Sequence, residues 1–253
     1  MTMDLLREGA KDLGLTLSAR HLEMFERYYH ELKKWNQRFN LTAITGYEEV
    51  QVKHFLDSLS CFLAFPSDTV GPLPNRIPLQ LERRHIWCLD VGSGGGFPGL
   101  PLKILAPDIR MTLVDSTRKK VGFLQHMIEL LELEGVEAIH ARAEELGHMP
   151  QHREQYDIVV ARAVAHLPIL CEYCLPLCHV GGRMIALKGR EAHEEVEESQ
   201  EALNVLGGAL VEAKAVALPD LGSGHHLIAI DKVAPTPEKY PRRPGMPAKR
   251  PLA

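Results

Sequence analysis

Between Ile86 and Ile230 the sequence alternates short apolar runs with stretches of helical spacing, and this alternation limits the fold more than any other feature. The runs are Ile86 to Val91, Met111 to Val114, Val136 to His140, Tyr156 to Val160, Arg183 to Leu187, Val211 to Leu218 and His226 to Ile230. Helical spacing fills several of the intervals, as at Leu100 to Ala106 and Lys119 to Leu133. A strand buried on both faces reads as a continuous apolar run, and parallel neighbours need a crossover of a dozen or more residues, usually a helix. The pattern therefore predicts an α/β fold with a mostly parallel, seven-stranded sheet flanked by helices.

The flanks of this core read differently. Leu22, Phe25, Tyr29, Leu32 and Trp35 recur at three and four, on one helical face. Residues 1–65 are thus expected as a helical extension packed on the core. Pro66, Gly71, Pro72, Pro74 and Pro78 interrupt any helix or central strand, which predicts a loop over 66–84. The core is expected over 85–233, and 234–253 as an extended, proline-rich tail. No acid follows Glu238, whereas Lys239, Arg242, Arg243, Lys249 and Arg250 do. The formal charge of −4 hides this asymmetry, because Glu191, Glu194, Glu195, Glu197, Glu198 and Glu201 crowd one stretch. That stretch is expected to be a solvated helix face turned away from nucleic acid. No run reaches the ~20 apolar residues of a membrane span, and no secretory leader pattern opens the chain. Five cysteines are an odd number and suggest no disulfide framework. The expected location is the cytoplasm, with no membrane partner.

The strand ending at Val91 runs into Gly92-Ser93-Gly94-Gly95-Gly96-Phe97-Pro98-Gly99. Glycines after a first strand let the main chain approach a ligand where a Cβ would collide. Gly94, Gly96 and Gly99 form a literal GxGxxG, which would suit a dinucleotide and hydride transfer. Counted from Gly92, however, the third glycine position holds Phe97. Asp90, at the strand end, would repel a pyrophosphate but suits a ligand with an ammonium and a sulfonium, as in S-adenosylmethionine. Asp115 ends the second strand twenty-three positions after Gly92, where a carboxylate can accept both ribose hydroxyls. Dinucleotide enzymes share that acid. Asp-x-Gly-x-Gly-x-Gly after a first strand resembles the pattern of Rossmann-like class I methyltransferases.

Further segments carry the resemblance to one family. Gly92 to Lys103 is similar to the cofactor loop of the RsmG (GidB) family, methyltransferases of guanine N7 in the 530 loop of 16S ribosomal RNA. Trp35-Asn36, Phe39-Asn40-Leu41-Thr42 and His54-Phe55-Leu56-Asp57-Ser58 match its helical amino-terminal part. Val114-Asp115-Ser116-Thr117-Arg118-Lys119-Lys120, Ala141-Arg142-Ala143-Glu144, Ala161-Arg162-Ala163, Ala186-Leu187-Lys188-Gly189 and Tyr240-Pro241-Arg242-Arg243-Pro244-Gly245 complete the series. The resemblance implies S-adenosylmethionine as cofactor, touched by Gly92, Phe97, Asp115, Ser116, Thr117, Ala143, Glu144 and Arg162. It implies 16S ribosomal RNA or the small ribosomal subunit as partner, and nothing in it demands more than a monomer.

Guanine N7 carries a lone pair and no proton, so its methylation needs no general base. The fourth strand fits, since it runs Asp157 to Ala163 without the Asn-Pro-Pro-Tyr or Asp-Pro-Pro-Tyr that enzymes acting on exocyclic amines often carry. There is also no Pro-Cys pair to attack a pyrimidine. No residue is assigned a bond-making role. Arg118, Lys119, Lys188, Arg242 and Arg243 are candidates for the RNA surface, with Arg162 or Lys188 able to donate to guanine O6. Cys171, Cys174 and Cys178 fit one helix face as small apolar residues, and no metal site is expected. Two other functions use the same fold: a nicotinamide-dependent oxidoreductase and a non-catalytic RNA-binding assembly factor.

Overall fold

The computed structural model describes residues 2–66, 86–218 and 222–252. The loop expected over 66–84 lies, past Pro66, outside them. Seven strands form one sheet: β1 (Trp87–Val91), β2 (Arg110–Asp115), β3 (Val136–His140), β4 (Tyr156–Arg162), β5 (Cys178–Lys188), β6 (Gly208–Leu218) and β7 (Gly222–Lys232). Their order is β3-β2-β1-β4-β5-β7-β6. The first five run parallel, while β7 runs antiparallel to both β5 and β6. This is the Rossmann-like class I methyltransferase architecture that the apolar runs and the motif resemblance predict.

Alternate residues of the central strands feed two separate cores. Ile158 and Val160 of β4 face one side, Val159 and Ala161 the other, and all four are buried. Burial on both faces is why these strands read as unbroken apolar runs. One face is covered by α5 (Gly99–Leu105), α6 (Arg118–Leu130) and the N-terminal segment. The other is covered by α8 (Leu167–Cys174), α9 (Ala192–Glu198) and α10 (Gln200–Leu206). Cys171 and Cys174 lie on α8, but Cys178 begins β5, so the three do not share a helix face as expected. All three are buried among leucines, and burial pushes the Cys171 and Cys178 thiols up to about 12.

The N-terminal segment holds α1 (Asp4–Asp12), α2 (Ala19–Phe39) and α3 (Tyr47–Val50), the last continuing through a π-helical stretch over Gln51–Leu56 into α4 (Asp57–Leu59). Ser18 caps α2, and Asn40 closes it in the left-handed conformation at φ 47°. Phe25, Tyr28, Tyr29 and Leu32 are the buried face of α2, while Leu22 and Trp35 border it. These side chains join the same apolar cluster as Cys88, Met111 and Leu113 of the sheet. The extension and the sheet therefore share one core.

The residues after Lys232 are tied down along the core. Arg153 donates to the carbonyls of Tyr240 and Thr236 at 2.7 Å each, and Glu144 Oε1 accepts the Gly245 N–H at 2.9 Å. A short helix, α11 (Met246–Lys249), follows. Among the described residues no helix is long and apolar enough to cross a membrane.

The shared core gives a clear expectation. Phe55 is fully buried, 4.9 Å from the Phe25 ring and 5.2 Å from Tyr28. Phe55→Ala should lower the unfolding free energy by about 3–5 kcal/mol. Trp35 reports on the extension and Trp87 on the sheet, so single-tryptophan variants followed in urea should show coincident transitions. Separate transitions would mean two independent units.

Candidate active site

The chain order of the sheet reverses between β1 and β4, and ligands of open α/β sheets bind beyond the strand ends at such a point. The glycine loop leaves β1 there. Gly92 and Ser93 donate to the Val114 carbonyl at 2.8 and 2.9 Å, and Gly96 and Phe97 both donate to the Ser93 carbonyl. Gly92, Gly94 and Gly96 have φ of 73°, 58° and 92°, a region that disfavours residues with a Cβ. A Cβ on Gly96 would strike Leu100 and the Tyr28 hydroxyl at 2.4 Å. One on Gly94 would meet only the Gly92 carbonyl, at 3.8 Å, so this turn of the loop presents bare main chain to open space.

Asp115 holds the loop from below. Its Oδ2 accepts the Gly94 N–H at 3.0 Å and its Oδ1 accepts the Thr117 N–H at 2.7 Å. Each carboxylate oxygen has a second lone pair for a ligand hydroxyl. Ser116 and Thr117 lie exposed beside it, and Ala143 is half-buried at the start of α7 (Ala143–Leu146). Asp90 corrects the sequence reading. Its carboxyl does not line an open wall but is fully buried, with Oδ2 accepting the Gly99 N–H at 2.9 Å and Oδ1 without a partner. Burial raises this carboxyl to about 7.

The third component comes from the N-terminal segment. Arg162, at the end of β4, donates through one nitrogen to Asp57 Oδ2 at 2.8 Å and to the Lys53 carbonyl at 2.9 Å. Its other terminal nitrogen meets His54 Nδ1 at 3.1 Å. The same Nδ1 lies 3.1 Å from the Lys53 carbonyl, and His54 Nε2 lies 2.7 Å from Thr42 Oγ1. Thr42 in turn donates its N–H to Asn36 Oδ1. Burial, reinforced by the Arg162 charge, pulls His54 down to about 3. The Phe97 ring is packed between Tyr28 and His54, at 5.3 and 4.4 Å, with the Arg162 guanidinium 5.0 Å from its centre. Phe97 is only 4% exposed, so its side chain shapes the loop and its main chain is what the loop offers a ligand.

Beside Arg162 lies a cavity of about 480 Å³. Its polar wall is formed by His54, Asp57, Arg162, Lys188, Glu195 and His225. His225 reaches it because β7 runs antiparallel and pairs the ends of β5 and β7. His225 Nδ1 meets Asp57 Oδ1 at 3.1 Å, and that carboxylate raises the imidazole. Lys188 donates to Glu195 Oε2 at 2.5 Å and to the Ala165 carbonyl at 2.6 Å. His166, Glu191 and Glu195 bring one ligand atom each within 4.8 Å of one another, and Glu195 Oε2 is in contact with the Lys188 ammonium.

The model of the family described as rRNA small subunit methyltransferase G (GidB) matches residues 21–222. A Roseiflexus sp. (strain RS-1) protein named ribosomal RNA small subunit methyltransferase G is 48% identical over 250 residues, 99% of this chain and 100% of that relative. Its Bacillus thuringiensis (strain Al Hakam) counterpart is 45% identical over 252 residues, 100% of this chain and 99% of its own. The chain belongs to this family.

Membership and geometry together sort the expected residues of the family site. Gly92, Phe97, Asp115, Ser116, Thr117 and Arg162 converge on the ends of β1, β2 and β4. Glu144 differs, because it is buried and its Oε1 is engaged by the tail. Arg118, Lys119 and Arg243 are exposed. Arg242 and Lys188 are not free surface cations: Arg242 is paired in a fork with the buried Glu172, at 2.5 Å for the closest contact, and Lys188 with Glu195. Glu195 is itself buried, whereas Glu191, Glu194, Glu197, Glu198 and Glu201 are exposed as expected of a solvated face. Thr42, His54, Asp57 and His225 had no assigned role. The first three stand in family motifs, but only the contacts of His54 and Asp57 with Arg162, and of Thr42 with His54, reveal the part they play.

The neutral His54 sets a pH dependence. The unfolded chain takes up a proton near the ordinary imidazole value of 6.5, which the folded chain resists down to about 3. Stability should therefore fall as pH drops below about 6.5, by up to ~1.4 kcal/mol per unit from this group. His225 acts oppositely, since its raised folded value makes its contribution complete below 6.5 and lost as pH rises through that value. Melting curves of His54→Gln should show a flatter decline between pH 6.5 and 4 than the parent.

Proposed function

We propose that this chain transfers the methyl group of S-adenosylmethionine to N7 of a guanine in the 530 region of 16S ribosomal RNA, acting in the cytoplasm as a monomer. The observation that carries the reading is the bare turn at Gly94, held by Asp115, at the switch point of a sheet whose full-length relatives are named ribosomal RNA methyltransferases. The residues fit the cofactor. Gly92 to Gly96 give it close main-chain contact, and Asp115 keeps lone pairs for ribose hydroxyls. Ser116, Thr117 and Ala143 border the remaining edge.

The cofactor supplies an activated methyl group on a sulfonium. The chain then has to place N7 in line with it, because the nucleophile carries no proton to remove. Effective molarities of well-oriented pairs reach ~10⁵ M or more, so orientation can supply a large share of the acceleration. The Asp57 and His54 contacts lock Arg162 against the loop and build the wall of the cavity where the base would sit. The first 65 residues thus serve the site as well as the core. Arg118, Lys119 and Arg243 are exposed cations suited to phosphate contacts, which position RNA without reading its sequence.

The direct test uses methyl-labelled S-adenosylmethionine and small subunits from cells lacking the enzyme. Label should appear at one guanine, and borohydride and aniline should cleave the RNA there, as expected of an N7-methylated base. Transfer to a ribose or an exocyclic amine would overturn the assignment. Asp115→Asn should weaken S-adenosylhomocysteine binding about 10- to 100-fold in calorimetry, the scale of a lost hydrogen bond to a charged group.

A further inference from the structure

Lys188 and Glu195 form the least expected feature of the cavity. Both side chains are only 8% exposed, and both line it. The ammonium is fixed by two acceptors, Glu195 Oε2 and the Ala165 carbonyl, and its third proton remains for a ligand. The carboxylate is fixed too: the Leu167 N–H at 2.6 Å and Lys188 both converge on Oε2, leaving the lone pairs of Oε1. A buried ion pair contributes little stability relative to an apolar replacement. What it does supply is one donor and one acceptor, side by side and rigidly held, on a wall beyond the end of β5.

Guanine presents the complementary arrangement, with O6 accepting and the adjacent N1–H donating. Adenine presents the reverse, a 6-amino donor beside the N1 acceptor. Uracil shares the guanine arrangement at O4 and N3–H but has no N7. We propose that the Lys188–Glu195 pair is the base reader of this enzyme, Lys188 donating to O6 and Glu195 accepting from N1–H. Held by this edge, the purine keeps N7 free on its other side. This inference rests on the N7 methyl-transfer reading and adds to it the device that selects guanine over adenine.

The test places guanine, inosine or 2-aminopurine at the methylated position of reconstituted small subunits. Inosine keeps O6 and N1–H, and its kcat/KM should stay within about 3-fold of guanine. 2-Aminopurine lacks both and should fall by about 100-fold, the upper range for a bidentate base contact. Glu195→Gln, whose amide can donate, should shift the guanine to 2-aminopurine ratio by about 10-fold or more toward 2-aminopurine. Comparing the ratio between enzymes cancels the intrinsic reactivity of the analogue. S-adenosylhomocysteine affinity of the variant should match that of the parent. The proposal is overturned if the parent uses 2-aminopurine as well as guanine, or if the variant slows all three bases equally. The parent series needs no variant, so it decides the matter even if Glu195→Gln fails to fold. No transfer to guanine by the parent would instead remove the reaction assignment.

Discussion

The contact between Asp57 and Arg162 is the constraint from which the rest of the site follows. It joins the N-terminal segment to the end of β4, with the carboxylate 5% and the guanidinium 15% exposed. So buried a pair yields little net stability, because desolvation offsets much of the attraction. Its effect is on register. With Arg162 anchored, its guanidinium meets His54 Nδ1, and the His54 ring lies against Phe97. Phe97 is the last large residue of the glycine loop, so the loop's conformation depends on a helix from far earlier in the chain.

The same contact explains how a charged cavity exists beside an apolar core. Each ionised group on its wall has an opposite partner: Asp57 with Arg162 and His225, Lys188 with Glu195, and Lys53 with Glu49. Balanced pairs lower the cost of keeping charge out of water and hold their hydrogen-bonding atoms in fixed positions. A solvated lysine on the surface could contact a phosphate, but it could not hold a base edge in one orientation. The exposed cations at Arg118, Lys119 and Arg243 suit the first task and the buried pair suits the second.

Several elements could be read from residues alone. The seven apolar runs became the seven strands, because burial on both faces forces continuous apolar sequence. The strands extend past the apolar runs at both ends of β5 and at the start of β7, where polar residues such as Lys188 and His225 pair without being core. Cys178 shows the converse limit. Its spacing from Cys171 and Cys174 suits a helix, yet Cys174 ends α8, because periodicity does not encode where a helix stops.

What the sequence determined by itself was the sheet, the glycine turn and the family, since each rests on local spacing or on motifs strung along the chain. The tertiary structure alone decided which charges meet. Asp57 and Arg162 lie about a hundred positions apart, Asp57 and His225 farther still, and Glu195 stands among five glutamates that face solvent. Local pattern assigns all six glutamates the same exposed role. Only packing of α9 against α8, with Lys188 reaching across from the end of β5, turns one of them inward, because burial is set by the neighbours that the fold supplies.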